Sequence, residues 1–465
     1  MTLTDRILTL NDFVWQPLAM PLVLVLVGGL ITVMTGFVQL RRFPAAFRTV
    51  LRSVFSPSAK GEGAITQFQA LSTALASTVG NGNIGGVATA ILIGGPGAVF
   101  WMWITAVVGM ATKYAEAVAG VHFRVRRETG ELASGPMYYI PQGLPAGRLG
   151  ASLSYMFAFF GASAALFGTG NMAQSNTIAR TFSEAAYSVA GIEVPLWVPG
   201  LLITVAVGTV LIGGIRRIAA VAERLVPAMI VVYVFTALIF ILLNISAVPR
   251  VIYQIMSSAF TPSAAIGGFA GAGFSQVIAA GVSRGVLSNE AGMGSAPIAH
   301  GIAKVQHPSE QGVVGIFEVF MDTIVICSMT AFVILASGLW TDPAYQNASG
   351  DLTAAALSTS IPLASLVVAI CSFFFGFSTL IGWAYYGEKC IEFLFGSYVI
   401  KPYRIIFTAM ILIGSLVSVP FVWAVGTLLN GFMAFPNLIG LAFIVGTIRK
   451  LTVTYFGQTE AKTSK

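Results

Sequence analysis

Residues 77–86 read Ser77-Thr78-Val79-Gly80-Asn81-Gly82-Asn83-Ile84-Gly85-Gly86, in the middle of an apolar run from about 66 to 93. The run is long enough to cross a bilayer. Four glycines, two asparagines and two hydroxyls nevertheless make its centre a poor continuous helix. Irregular backbone survives at membrane depth only where protein buries it or a wet cavity borders it; there its freed N–H and C=O groups can hold a ligand. Close packing through small residues accounts for the glycines but less well for the interleaved amides of Asn81 and Asn83. The stretch therefore predicts a helix broken at mid-membrane.

The rest of the chain is a membrane chain too. Its 465 residues are 56% hydrophobic and 9% charged, with a mean hydropathy of +0.85. Soluble domains carry about 25% charged residues. The apolar runs predict about eleven spans, near 15–40, 66–93, 97–121, 149–178, 195–214, 221–245, 267–287, 311–337, 362–386, 404–421 and 425–447. Of the 25 Lys and Arg residues, 21 fall on one side of this arrangement, counting Arg284 at a span end, and 3 (Arg6, Arg180, Arg250) on the other. The positive-inside rule then sets the N-terminus outside and the C-terminal tail, 448–465, in the cytoplasm of a multi-pass cell-membrane protein. The net charge of +7 reflects orientation rather than nucleic-acid binding. No removable signal peptide is read at the N-terminus. Cys327, Cys371 and Cys390 lack CxxC spacing, and His122, His300 and His307 are scattered, so no disulfide framework or metal cluster is indicated.

A second interruption, Gly267-Gly268-Phe269-Ala270-Gly271-Ala272-Gly273-Phe274-Ser275-Gln276, falls five spans later, in span 7. Its break is expected near 271–276. Spans 2–6 (66–245) and 7–11 (267–447) then form two halves of opposite topology, each opening on a broken helix. Span 1 is extra, and 1–465 is one transmembrane domain. This is the 5+5 inverted repeat of LeuT-type secondary transporters, whose site lies where the two broken helices meet. The fold class is thus an all-α polytopic membrane protein.

Three motifs narrow the reading. Gly94-Gly95-Pro96-Gly97-Ala98-Val99-Phe100-Trp101-Met102-Trp103-Ile104-Thr105-Ala106-Val107-Val108-Gly109 resembles the signature of the alanine/glycine:cation symporters, also called sodium:alanine symporters. The preceding run from Gly61 to Ile91 is similar to that family's broken-helix region, and Ser288-Asn289-Glu290-Ala291-Gly292-Met293-Gly294-Ser295-Ala296-Pro297 to a family loop motif. The resemblance covers about residues 60–447. Asn81 departs from it, standing where the family pattern has Thr. The resemblance implies Na⁺-driven uptake of alanine or glycine and a pocket from spans 2, 4, 7 and 9. Matched positions are Thr78, Gly80, Gln174 and Phe274, with Trp383 in span 9.

The local chemistry agrees. A zwitterion leaving water needs partners for both charges. Half-helix N-termini offer N–H groups to a carboxylate, and half-helix C-termini offer carbonyls to an ammonium or Na⁺. Asn81 and Gln276 add amides, Gln174 is a neutral acceptor for the ammonium, and Phe274 is expected to wall off large side chains. For Na⁺, the hydroxyls of Ser378 and Thr379 with the Phe375 carbonyl face expected carbonyls near Ala76 and Val79; the competing reading has both hydroxyls bonding back to their own helix. Intramembrane acids are functional candidates. Glu116 is expected to pair with Lys113. Glu318 and Asp322 share a face of span 8, paired structurally, gating, or carrying a proton. Glu290, placed in a cytoplasmic loop, is expected to brace an inner gate. No HExxH or GxSxG motif supports a membrane enzyme, no P-loop supports ATP drive, and a channel would need a continuous pore. Proton coupling through Glu318 or Asp322 is the alternative to Na⁺. Neither an organic cofactor nor an obligate protein partner is indicated.

Overall fold

The computed structural model describes residues 3–16, 19–55, 61–128, 130–145, 147–260, 273–346 and 349–463. Among these, eight helices are long and apolar enough to cross a membrane, and they correspond to spans 1, 3, 4, 6, 8, 9, 10 and 11. Span 5 is the shorter apolar helix Trp197–Leu211. Spans 2 and 7 are each split in two. The chain is an all-α polytopic membrane protein.

Span 2 starts where the sequence says a helix should. Thr66 Oγ1 accepts from the Gln69 amide at 3.1 Å while Gln69 Oε1 accepts from the Thr66 amide at 3.0 Å, a reciprocal cap. The first half-helix, Gln67–Thr78, stops at the glycine-asparagine cluster. A short 3₁₀ turn over Asn81–Asn83 follows, then the second half-helix, Gly85–Gly94.

Span 7 departs from expectation. Residues 267–272 of its glycine-rich stretch lie outside the described residues. Gly273 caps the helix Phe274–Asn289, so Phe274 and Gln276 begin a continuous helix. A break follows at 290–295, then a short helix Ala296–His300; the part of the expected break at 271–272 lies outside the described residues. The segment 288–303, expected as a cytoplasmic loop, is buried throughout. The physical reason is backbone conformation: Glu290, Gly292 and Gly294 all take positive φ (56°, 89° and 81°), which ends the helix and turns the chain sharply.

The two split spans lie antiparallel. Gly94 packs against Val277 and Ala280, while Ile65 bridges Ala303 and Glu62 bridges Val305 at the other end. Spans 3 (Gly97–His122) and 8 are also antiparallel, with Trp103 Nε1 donating to Ser328 Oγ at 2.8 Å and Lys113 meeting Glu318. At the Glu62 end Arg124 donates to the carbonyls of Glu62, Gly301 and Ala303, tying spans 2, 3 and 7 together.

Two further irregularities were not read from sequence. Span 4 is interrupted between Arg148–Phe167 and Met172–Ala190. Span 8 widens to a π-helical turn over Phe320–Cys327. The expected tail, 448–465, continues span 11 as one helix, Val419–Thr463. The N-terminal helix Leu3–Trp15 docks on that span, with Trp15 Nε1 donating to the Thr427 carbonyl at 2.9 Å.

Candidate functional site

The interruptions of spans 2, 4 and 7 meet span 9 around one small chamber. Span 2 supplies Ser77, Thr78, Gly80, Gly82 and Gly86; span 4 supplies Thr169 and Gln174. Span 7 contributes Arg284, Leu287, Ser288 and Glu290, span 9 Thr379 and Trp383, and span 11 Trp423.

Spans 2 and 9 touch closely here. A Cβ on Gly80 would come within 2.5 Å of Thr379 Oγ1, and one on Gly382 within 2.6 Å of Ser77 Oγ. Both Ala76 and Val79 are fully buried, and no donor among the described residues reaches either carbonyl oxygen. Ser378 and Thr379 both donate back to the Phe375 carbonyl, at 2.8 and 2.9 Å. That back-bonding is the competing reading of the pair, yet a hydroxyl that donates keeps its lone pairs for a cation. The two undonated carbonyls and the two hydroxyls are hard oxygen atoms on spans that touch at Gly80 and Thr379, the donor type that Na⁺ could take.

Gln174 joins two breaks. Its Oε1 accepts from the Asn81 amide at 3.3 Å, and its Nε2 donates to the Thr169 carbonyl at 3.1 Å. Trp383 lies flat on Gly170, where a Cβ would meet the ring at 2.6 Å, and its Nε1 donates to Glu290 Oε1 at 2.9 Å. The second Glu290 oxygen accepts from Ser295 Oγ at 2.5 Å.

Three expected substrate contacts stand elsewhere. Phe274 is 43% exposed and packs edge-on against Trp101, outside the chamber; Gln276, two residues on, is exposed. Both lie a helix length away from the break at 290–295. Asn81 turns from the chamber toward span 9, where its Oδ1 accepts from Ser372 Oγ at 2.7 Å. The aromatic rings that line the chamber are Trp383 and Trp423.

The buried acids sort into separate groups. Lys113 pairs with Glu318 at 3.1 Å rather than with Glu116, and His300 Nε2 lies 2.7 Å from the other Glu318 oxygen. Glu116 instead accepts from the Gly294 amide at 2.9 Å and Asn437 Nδ2 at 2.8 Å, clamping the span 7 break. Asp322, expected beside Glu318, sits in the widened turn and accepts from Asn83 Nδ2 (2.6 Å), Ser288 Oγ (2.8 Å) and Thr323 Oγ1 (2.8 Å). Asn83 Oδ1 in turn accepts from the Gly80 amide at 2.9 Å, so Asp322 braces the span 2 break from behind.

The model of the sodium:alanine symporter family matches the chain from residue 1 to residue 465. The chain belongs to the sodium:alanine symporter family. It is 43% identical to "Sodium/alanine symporter AgcS" of Methanococcus maripaludis, over 96% of each chain. It is 37% identical to "Probable sodium/glutamine symporter GlnT" of Bacillus subtilis, over 97% of this chain and 90% of that one. The crystal structure of MhsT in complex with L-phenylalanine superposes with a TM-score of 0.56 at 14% identity, covering 84% of this chain and 99% of that one. That likeness concerns the fold, a LeuT-type transporter fold. As a member of the sodium:alanine symporters the chain is a transporter of amino acids coupled to a cation, not an enzyme.

For this sodium:alanine symporter, sequence reading missed the span 4 break and Arg284. The first had a signal: Gly168-Thr169-Gly170-Asn171 repeats the pattern of Gly80-Asn81-Gly82-Asn83. The second was counted only as a basic residue at a span end.

Proposed function

We propose that this transporter imports alanine and glycine across the cell membrane by alternating access, driven by Na⁺, with its N-terminus outside and its C-terminus in the cytoplasm. The observation that carries the coupling ion is the pair of buried, undonated carbonyls of Ala76 and Val79 beside Phe375, Ser378 and Thr379. A cation that sheds water there gains oxygen ligands that cost little to free. Thr78, Gly80, Gln174 and Trp383 contact the substrate in the chamber, and Glu290 fixes the Trp383 ring. The relative named for alanine supports the substrate, and the 21-to-3 distribution of Lys and Arg supports the orientation.

The rings of Trp383 and Trp423 and the Leu287 side chain take over the size limit that Phe274 was expected to set. Rejection by overlap discriminates more sharply than a missing methylene, worth only about 1–3 kcal/mol. Glycine and alanine should compete for one site, and leucine and phenylalanine should not.

Counterflow of labelled alanine in proteoliposomes, with and without a Na⁺ gradient, tests this directly. Uptake that needs Na⁺ and is blocked by glycine but not leucine supports the reading. Uptake that ignores Na⁺ but follows a proton gradient selects the second reading, proton coupling. Asp322 is the better carrier for it, since it has three neutral donors and no ion-pair partner, while Glu318 is held by Lys113.

A further inference from the structure

We propose that Arg284 is the carboxylate anchor of the chamber: its guanidinium receives the α-carboxylate of the amino-acid substrate and fixes which way round the substrate sits. The inference rests on the amino-acid reading of the chamber given above and adds a residue and an orientation to it.

Arg284 lies late in the helix Phe274–Asn289, one and a half turns before the break, and its side chain borders the chamber while only partly exposed. Three other arginines of the bundle are spent on protein acceptors. Arg124 is used on three carbonyls, Arg127 on Glu392 and Arg404 on Glu388. Arg284 makes no hydrogen bond or ion pair with any described residue. The chamber's other ionisable group, Glu290, has both carboxylate oxygens occupied, by Trp383 and Ser295. A guanidinium therefore presents five N–H donors to a cavity inside a membrane protein, with no acceptor among the described residues.

Such a charge at membrane depth is expensive, and its acceptors must come from water or from a ligand. The planar fork matches a carboxylate in a bidentate geometry that an ammonium-bearing lysine cannot reproduce. The α-carboxylate is the group every amino acid carries, so Arg284 would read the invariant part of the substrate and leave the side chain to Trp383 and Trp423. A second feature points the same way. Gly82 and Gly86 flank the start of the half-helix Gly85–Gly94 and border the same chamber. A Cβ at either would meet nothing within 4 Å, so there is open space beside the first turn of a half-helix whose leading amides lack intrahelical acceptors. A closing gate built on Arg284 would require an acid opposite it, and no described carboxylate comes within 4.0 Å.

The test uses the full-length protein in proteoliposomes. Competition against labelled alanine is measured with unlabelled alanine and with alaninamide, which keeps the ammonium and methyl but lacks the charged carboxylate. The wild type should prefer alanine over alaninamide by about 100-fold or more, of the order expected for a lost charged hydrogen-bonding pair. Arg284→Gln should raise the half-saturating alanine concentration by a similar factor and bring the alanine-to-alaninamide ratio close to about 1. Arg284→Lys should fall between, because the charge remains while the fork is lost. Na⁺ should still raise the melting temperature of the detergent-solubilised variants, since the Ala76–Thr379 oxygens are untouched. An Arg284→Gln protein that keeps the wild-type ratio overturns the proposal. If that variant does not fold, an unchanged ratio in Arg284→Lys overturns it equally. A wild type that takes up no alanine fails the functional reading before any variant is measured, which separates the two.

Discussion

The break in span 2 and the break in span 7 do the same topological job by different chemistry. Over 79–84 the backbone stays in ordinary regions, and Gly80 has a φ of −134°. Its glycines serve proximity and open space: Gly80 admits Thr379, and Gly82 faces nothing within 4 Å. Its brace is the Asn83 side chain, which accepts from the Gly80 amide and is held from behind by Asp322. The span 7 break needs left-handed backbone at Glu290, Gly292 and Gly294, and it is pinned by Glu116, Asn437 and the Trp383 contact. In one break carbonyls are left undonated; in the other the side chains are spent on neighbours. The first is built to exchange partners and the second to hold shape. Ligand chemistry should therefore concentrate on span 2, and structural damage on span 7.

The largest effect should come from Gly294→Ala. A left-handed backbone costs an L side chain about 1–2 kcal/mol, and overpacking against Phe157, Pro136 and Asn437, all within 2.9 Å of the new Cβ, adds about 1–3 kcal/mol. The variant should lose monodispersity and melt well below wild type, whereas Gly82→Ala should melt with it. Equal melting temperatures for the two would erase the contrast between the breaks.

Next in size is the double substitution Ser378→Ala with Thr379→Ala. Removing two oxygen ligands should raise the Na⁺ concentration for half-maximal uptake by about tenfold or more, at about 1.4 kcal/mol per decade, with the order of competing amino acids unchanged. Wild-type Na⁺ activation would move the cation away from spans 2 and 9.

Trp383→Phe should be milder. It strips the donor from Glu290 Oε1, and an unmet buried acceptor costs about 1–3 kcal/mol. The melting temperature should fall while valine begins to compete with alanine through the smaller ring. A fall in neither would detach Trp383 from both roles.

Smallest should be Asn81→Thr. Because Asn81 bonds Ser372 and leaves the chamber wall to Gly80 and Gly82, substrate competition should stay within about twofold of wild type, below about 0.5 kcal/mol. A changed substrate order would return Asn81 to the site.

The same contrast explains what could be read in advance. The span 2 break was legible because glycines chosen for space cluster densely in sequence. Span 7 was read at its densest glycines, 267–273, but its turn is made by two glycines spaced one residue apart behind an acid. Ser-Asn-Glu-Ala-Gly-Met-Gly looks like a surface loop because its polar groups find partners only in the folded bundle: Glu116 from span 3, Asn437 from span 11 and Trp383 from span 9. Single-span patterns carry no trace of such partners. The same blindness paired Lys113 with Glu116, its neighbour one turn away, when Glu318 from span 8 was the closer partner in space. The grouping of Ser378 and Thr379 with the Phe375 carbonyl was legible because local spacing on one helix sets it.

All three cysteines are free thiols and all are buried. Cys327 lies behind the chamber, its sulfur 3.2 Å from Ser288 Oγ and 3.4 Å from Asn83 Nδ2. A maleimide arriving from water can reach it only when spans 2, 7 and 8 part. The alkylation rate of the unmodified protein thus serves as a clock on that separation, running slower when ions and solute hold the spans together.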